Sequence, residues 1–290
     1  MKFFTYITGV ILLIPAIFAK LLDYSEKDWP ATCKGNRNSP INFPADFTYN
    51  TSNYFELIST DYKIINGMKF DITDMKSYHI PNITADHGTL FVRKNGITYR
   101  YTLLDVHFHI LSEHTMNGKA SATELHMVHQ KDLNYLAANN ITDTAEDAVN
   151  KYLVVGTLFD ADSDTDNADF AKFKIGSTES ITDLDLKKFS RIDQPYYHYI
   201  GGLTTPNCDE IVNWVVNINP VKISASQNLA MKKWINGLYP NGNARVVQNL
   251  NNRVIYKVDK SPITPAKTSA GYIKGNMMML ISALIAIFFL

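Results

Sequence analysis

Residues 105–129, DVHFHILSEHTMNGKASATELHMVH, constrain this chain more than any other stretch. They hold five of its eight histidines and two glutamates, in two short runs joined by the turn-forming Asn117, Gly118 and Lys119. His107 and His109 stand two apart in an apolar, aromatic run, so on a β-strand both imidazoles leave the same face. In the second run the same alternation sets Glu124, His126 and Val128 on one face and Leu125, Met127 and His129 on the other. Paired as antiparallel neighbours, the two runs bring His126 beside His107 and His109.

Three neutral imidazoles meeting at one point make a zinc site whose fourth tetrahedral position stays open to water, the arrangement of catalytic rather than structural zinc. A lone histidine on a strand is more often a packed core or surface residue, and an H-x-H pair by itself is weak evidence for metal. The third histidine shifts that balance, and so do two carboxylates. Asp105 precedes His107 by two residues and Glu124 precedes His126 by two, each on its ligand's face and each placed to accept the imidazole's other N–H.

The stretch HFH…SEHT…ELHMVH, taken with CKGNRNSPINF at 33–43, GGLTTPNC at 201–208 and NARVVQNLNNR at 243–253, resembles the α-class of carbonic anhydrases, in family order from about residue 24 to 253. The resemblance implies a mainly β (α+β) single domain, a large and mostly antiparallel twisted central sheet with short peripheral helices. It implies zinc as cofactor and the reversible hydration of carbon dioxide to bicarbonate and a proton by zinc-bound hydroxide. It also assigns His107, His109 and His126 to the metal and Thr204 to a gatekeeper role, its hydroxyl paired with a buried Glu113. Thr205 falls at the product, and Val128, Val154, Leu203 and Trp214 form an apolar wall for a substrate with no good hydrogen-bonding handle. Taken alone, those four residues are ordinary core and Thr204-Thr205-Pro206 is an ordinary turn. His114 and His129 resemble structural positions flanking the site. His79, His87 and His198 read as surface or hydrogen-bonded residues.

Two departures from the family pattern carry consequences. INGMKF matches the region where fast members place a proton-shuttling histidine, and here that position is Met68, whose thioether carries no proton; Tyr24 and Asn66 resemble polar residues of the water path. Proton export is therefore expected to limit turnover. Asp105 stands where the family often has glutamine, and its extra negative charge is expected to raise the working pH.

Length and composition fit one domain with a sizeable core: 290 residues, 46% apolar and 12% aromatic, with no internal repeat or low-complexity linker. Twenty-eight basic against 28 acidic residues leave no nucleic-acid footprint, and a small neutral or singly charged substrate is the simpler expectation. From about 54 to 100 short β-branched or aromatic runs (TDYKII, MKFDI, TLFVRK, ITYRYTLL) alternate with Asn66-Gly67 and Asn95-Gly96 turn signals, predicting antiparallel strands. KYLVVGTLFD reads as a near-continuous buried strand, 161–190 as loop with short helices, and Ser224 with Gln227 as a capping box opening a helix to about Leu238.

The ends read differently. Residues 1–19, a basic Lys2, an apolar run and Ala19, match a secretory signal peptide better than a spanning helix, a buried N-terminal strand being the competing reading. The catalytic domain then covers 20–262. Residues 263–276 read as a spacer with small Ser269, Ala270 and Gly271, and 277–290 as an apolar tail shorter than the roughly 20 residues that span a bilayer. That pattern resembles a glycosylphosphatidylinositol signal, with a short tail anchor or a peripheral tail as alternatives. Export to the cell surface, with membrane attachment through the C-terminus, is the expectation. Asn50, Asn82 and Asn140 open N-glycosylation sequons, and the two cysteines, Cys33 and Cys208, suggest a disulfide in an exported protein, two free buried thiols being the alternative that would fit a cytosolic one. The resemblance implies that they are bonded to each other, which closes a long loop and contributes about 4 to 5 kcal/mol in the chain-entropy model. A second function class, a cell-surface adhesion or ligand-binding module on the same fold, stays open; family members of that kind typically lose a metal ligand.

Overall fold

The computed structural model describes residues 24–52, 54–69, 80, 83–239 and 241–260. The leader at 1–19, His79, Asn82, most of MKFDI, the spacer and the apolar tail lie outside them. Among the described residues no helix is long and apolar enough to cross a membrane.

In chain order the strands are β1 (Asn42–Phe43), β2 (Phe55–Thr60), β3 (Thr89–Lys94), β4 (Ile97–His109), β5 (Thr115–Met116), β6 (Lys119–Ala120), β7 (Thr123–Lys131), β8 (Tyr152–Ser163), β9 (Tyr196–Gly201), β10 (Val212–Asn217), β11 (Val221–Ser224) and β12 (Tyr256–Val258). Nine of them form one twisted sheet in the order β12-β9-β10-β8-β7-β4-β3-β2, with β11 added alongside β8. Pairing in it is antiparallel except where β8 meets β10 and β11. β1, β5 and β6 make a small separate sheet. Helices are short and peripheral, the longest being Ala225–Leu238.

Local sequence explains much of this. Asn95 (φ 50°) and Gly96 (φ 80°) both take the left-handed conformation that a tight two-residue hairpin demands, and they join β3 to β4. Ser224 and Gln227 make the expected reciprocal cap, side chain to main chain in both directions, at 3.1 and 3.2 Å. TDYKII departs from the expectation. Only Thr60 lies in a strand, and Ile65 makes an isolated bridge to Leu184. The neighbour β3 starts only at Thr89, after a 3-10 turn at Ala85–His87, so the edge chain beyond Thr60 has no continuous ladder to join.

The sheet separates two apolar layers. Phe108, Leu125, Met127, Leu153 and Val155 enter the larger core, which the long helix covers with Met231 and Ile235; Ile41, Phe43, Val154, Leu158, Trp214 and Val216 form the smaller one on the other face. Along β4 the alternation changes phase. Tyr99, Tyr101 and Leu103 point into the larger core, but so do Val106 and Phe108. The register against β7 slips between Leu103 and Asp105, a bulge that leaves Leu104 as the extra, 43% exposed residue. This slip turns Asp105, His107 and His109 onto the opposite face.

Candidate metal centre

β4 and β7 bring the two histidine runs together as the alternation required, with His107 opposite His126 and His109 opposite Glu124. One nitrogen of each ring is already engaged. His107 Nδ1 lies 2.6 Å from Asp105 Oδ2, and His126 Nε2 lies 2.9 Å from Glu124 Oε1. His109 Nδ1 donates to the main-chain carbonyl of Asn243 at 2.7 Å. The unengaged atoms are then His107 Nε2, His109 Nε2 and His126 Nδ1. The three residues offer ligand atoms within 4.8 Å of one another, with His126 Nδ1 3.3 Å from His107 Nε2. His109 Nε2 is buried with no hydrogen-bond partner among the described residues, as a nitrogen left for a metal would be.

Electrostatics favour the ligating form. Burial holds the His126 pKa down at about 4 although Glu124 pulls it up, and burial with the neighbouring His126 and His107 holds His109 well below the ordinary histidine range. The His109 and His126 rings are therefore neutral at pH 7 with lone pairs free. Burial raises the Glu124 carboxyl, yet His114 and His126 outweigh it and keep it ionised. Glu124 is the hub of this side: Oε2 accepts the His114 main-chain N–H at 2.8 Å, and Oε1 lies 2.8 Å from His114 Nδ1. His114 Nε2 reaches Tyr199 Oη at 2.7 Å, and that hydroxyl donates to Ser39 Oγ at 2.8 Å. His114 thus belongs to the supporting network and not to the ligands. His129 bonds Tyr62 and the Leu153 carbonyl on the other face, His198 contacts Asn213, and His87 caps its own turn.

A cavity of about 330 Å³ opens above the imidazoles, lined by His107, His126 and Asp105 on one side and by Val128, Val154, Leu203, Thr204, Thr205 and Trp214, with Leu104 and Tyr152 at its edge. Every residue assigned to the apolar wall lines it. The Thr204 loop is fixed from several directions. Gly202 N–H donates to Ser39 Oγ (3.2 Å), Trp214 Nε1 donates to the Gly202 carbonyl (3.0 Å) and Cys208 N–H donates to the Thr205 carbonyl (2.8 Å). Cys33 and Cys208 are bonded to each other, with 4.9 Å between their Cα atoms. Glu113 is buried; Oε1 accepts the Arg245 main-chain N–H at 2.9 Å, while Oε2 has no hydrogen-bond partner of ordinary geometry among the described residues. Burial pushes this carboxyl well above its usual pKa, opposed by the Arg245 N–H and then by the Thr204 hydroxyl.

Residues 24–259 match the family described as eukaryotic-type carbonic anhydrase. The chain belongs to that family. Among curated relatives it is 28% identical to carbonic anhydrase 4 of Mus musculus over 251 residues, covering 79% of this chain and 77% of that one. It is 30% identical to alpha carbonic anhydrase 3 of Arabidopsis thaliana over 249 residues, covering 82% and 80%. Two solved structures share the fold: the α-carbonic anhydrase of Thermovibrio ammonificans with sulfanilamide (TM-score 0.55, 24% identity, 77% of this chain and 88% of that one) and dioscorin complexed with ascorbate (TM-score 0.60, 22% identity, 80% and 90%).

The proton-path residues stand apart from this carbonic anhydrase-family cavity. Tyr24 is buried against Tyr239, Asn66 Oδ1 accepts the Asp183 N–H at 2.7 Å, and Met68 packs on the larger core; none of the three lines the cavity. Asn50 and Asn140 are exposed. Sequence reasoning missed Asn243, which supplies a carbonyl to His109 and whose side chain accepts from Ile110 N–H and donates to the Phe108 carbonyl. It also missed Tyr199, Ser39, Leu104 and Tyr152. Asn243 reaches His109 through its main chain and leaves no periodic signal; Tyr152 opens the strand that carries Val154 and was reachable by alternation.

Proposed function

We propose that this chain catalyses the reversible hydration of carbon dioxide to bicarbonate and a proton, with one zinc ion held by His107 Nε2, His109 Nε2 and His126 Nδ1. The observation that carries the reading is the convergence of three imidazole nitrogens, each on a ring whose other nitrogen is engaged, beneath a cavity with one apolar wall. Zinc bound there would supply Lewis acidity and lower the pKa of water to about 7, the magnitude carbonic anhydrases are known for.

The chain's own residues do the rest. Asp105, Glu124 and the Asn243 carbonyl fix the ring orientations, which sustains metal affinity. Val128, Val154, Leu203 and Trp214 hold an apolar substrate close to the metal and keep bulk water off that side. The Thr204 hydroxyl, held between the attacking oxygen and Glu113, accepts one hydrogen bond and donates the next, selecting the orientation of the nucleophile's lone pair. The Arg245 N–H and the Thr204 hydroxyl both oppose the burial that raises this carboxyl's pKa. Thr205 contacts bicarbonate. With Met68 in place of a shuttling histidine, the proton leaves slowly and external buffer takes it up.

The Cys33–Cys208 disulfide supports passage through an oxidising compartment. Together with the leader, the exposed sequons at Asn50 and Asn140 and the apolar tail, it supports a cell-surface enzyme attached through its C-terminus. The adhesion-module reading has less support, because the ligand set is whole. The test is zinc stoichiometry with stopped-flow hydration of carbon dioxide: one zinc per chain and rapid hydration, both lost in His126→Ala, are expected. A purified chain that retains no zinc, or holds it without accelerating hydration, overturns the proposal.

A further inference from the structure

We infer that the guanidinium of Arg245 is a positioning element for the hydration reaction, holding its own stretch of chain so that the Arg245 main-chain N–H meets Glu113. This rests on the reaction proposed above. The Arg245 side chain is fully buried, and each of its five N–H donors has an acceptor. Nε and Nη2 reach the two oxygens of Glu26 at 3.2 and 3.1 Å. Nη2 also donates to the Cys33 carbonyl at 2.7 Å, and Nη1 donates to Asn38 Oδ1 at 2.9 Å and to the Ser39 carbonyl at 2.7 Å. The planar group stands 5.1 Å from the centre of the Trp29 ring. A fork engaged at every donor has one orientation.

What the fork holds matters for the site. Residues 243–247 lie in no helix or strand, so no ladder fixes them. Asn243 is tied to β4 by its own side chain, but beyond Arg245 the chain is loosely packed: Val246 and Val247 are 64% and 45% exposed, and a groove of about 620 Å³ runs beside them, lined in part by Glu113, Arg245 and both valines. Yet this segment delivers the Asn243 carbonyl to His109 and the Arg245 N–H to Glu113. The other end of the clamp is the segment carrying Cys33, whose disulfide runs to Cys208 behind the Thr204 loop. Glu113 and Thr204 are therefore tied to one N-terminal segment, the first through the guanidinium and the second through the disulfide.

Arg245→Lys keeps the charge and the main-chain N–H and removes the fork, which three ammonium donors on one atom cannot replace. In the full zinc-loaded chain, kcat for hydration is expected to fall about 10-fold, with KM and zinc stoichiometry unchanged, because small misplacements of orienting groups cost rate rather than binding. A role confined to stability leaves kcat per zinc-loaded molecule unmoved. The same substitution in a Glu113→Gln background is expected to lower kcat by less than about 2-fold, since its effect passes through Glu113. An unchanged kcat, or an equal loss in both backgrounds, overturns the inference. Should Arg245→Lys fail to fold, Glu26→Gln carries the test: about a 3-fold loss that vanishes with Glu113→Gln is expected, and no loss is fatal. A wild type that neither binds zinc nor hydrates carbon dioxide overturns the proposed reaction and this role with it. An active wild type matched by its variants overturns the positioning role alone.

Discussion

Gly156 offers the sharpest perturbation of the metal centre, because a side chain added there strikes Glu124 and neither a ligand side chain nor the substrate. It lies on β8 directly opposite His126 and pairs with Val216 on its other side. A Cβ added there meets Glu124 Oε1 at 2.6 Å and Val216 Cγ2 at 3.5 Å. Its backbone is ordinary strand, so Gly156→Ala brings no dihedral strain and the whole cost is the clash. To regain an ordinary 3.4 Å contact the carboxylate must retreat by about 0.8 Å. Glu124 is not free to do so, since the three bonds to His114 and His126 at 2.8 to 2.9 Å hold both its oxygens. The loss therefore passes to His126. Disturbing an outer partner of a zinc ligand weakens metal binding about 10- to 100-fold, or roughly 1.4 to 2.7 kcal/mol. Overpacking adds about 1 to 3 kcal/mol of lost apo stability, which lowers Tm by about 2 to 10 °C in a domain of this size. Chelator competition measures the first quantity and calorimetry of the metal-free chain the second. Zinc affinity within 2-fold of wild type refutes the reasoning, and a fall in Tm with affinity intact shows the strain relaxing toward Val216 instead.

Asp105→Gln removes a negative charge beside the His107 ring and is expected to move the midpoint of the pH–rate profile to lower pH; superimposable profiles count against the charge argument. Turnover at fixed pH is expected to rise several-fold with buffer concentration, and Met68→His to raise the rate in dilute buffer at unchanged zinc content. Equal rates in dilute and concentrated buffer remove the proton-export limit. His129 supplies an acid-stability prediction: burial lowers its pKa to about 4 against the Leu153 carbonyl that favours its charge. The unfolded chain binds a proton there near pH 6.5 that the fold refuses until about pH 4, so stability is complete above that window and falls as pH drops through it, by on the order of 3 kcal/mol. Urea titrations of the metal-free wild type and His129→Gln between pH 7 and 4.5 test this, and parallel curves for the two refute it.

The metal ligands were legible because period-2 alternation is a local signal and both runs keep it over the residues that matter. That success had a narrow margin. Counting forward from Tyr99, Tyr101 and Leu103, all in the larger core, alternation places Asp105 and His107 in the core as well. Only the bulge at Leu104 turns them outward, and no residue type in TYRYTLLDVHFH marks it. Strand edges were less legible than strand centres, for TDYKII has good strand composition and lacks only a partner of sufficient length. The Cys33–Cys208 pairing came from family resemblance, not from spacing.

Two contacts at the site that sequence reading missed are made by the main chain. Asn243 reaches His109 with a carbonyl across 134 residues of sequence, and Arg245 reaches Glu113 with an amide across 132. Any residue has those atoms, so identity at the contact says nothing; what is specific is the device that holds the backbone in place, for Arg245 a saturated guanidinium in a segment with no ladder. Gly156 is the complementary case, where the functional feature is the missing Cβ and the neighbour that fills its volume is the carboxylate of Glu124. Inside KYLVVGTLFD a glycine is out of place by propensity, and a strand glycine marks close approach of another group. It was the one trace of this hidden layer that the sequence displayed, and it points at Glu124 only once β7 and β8 are paired.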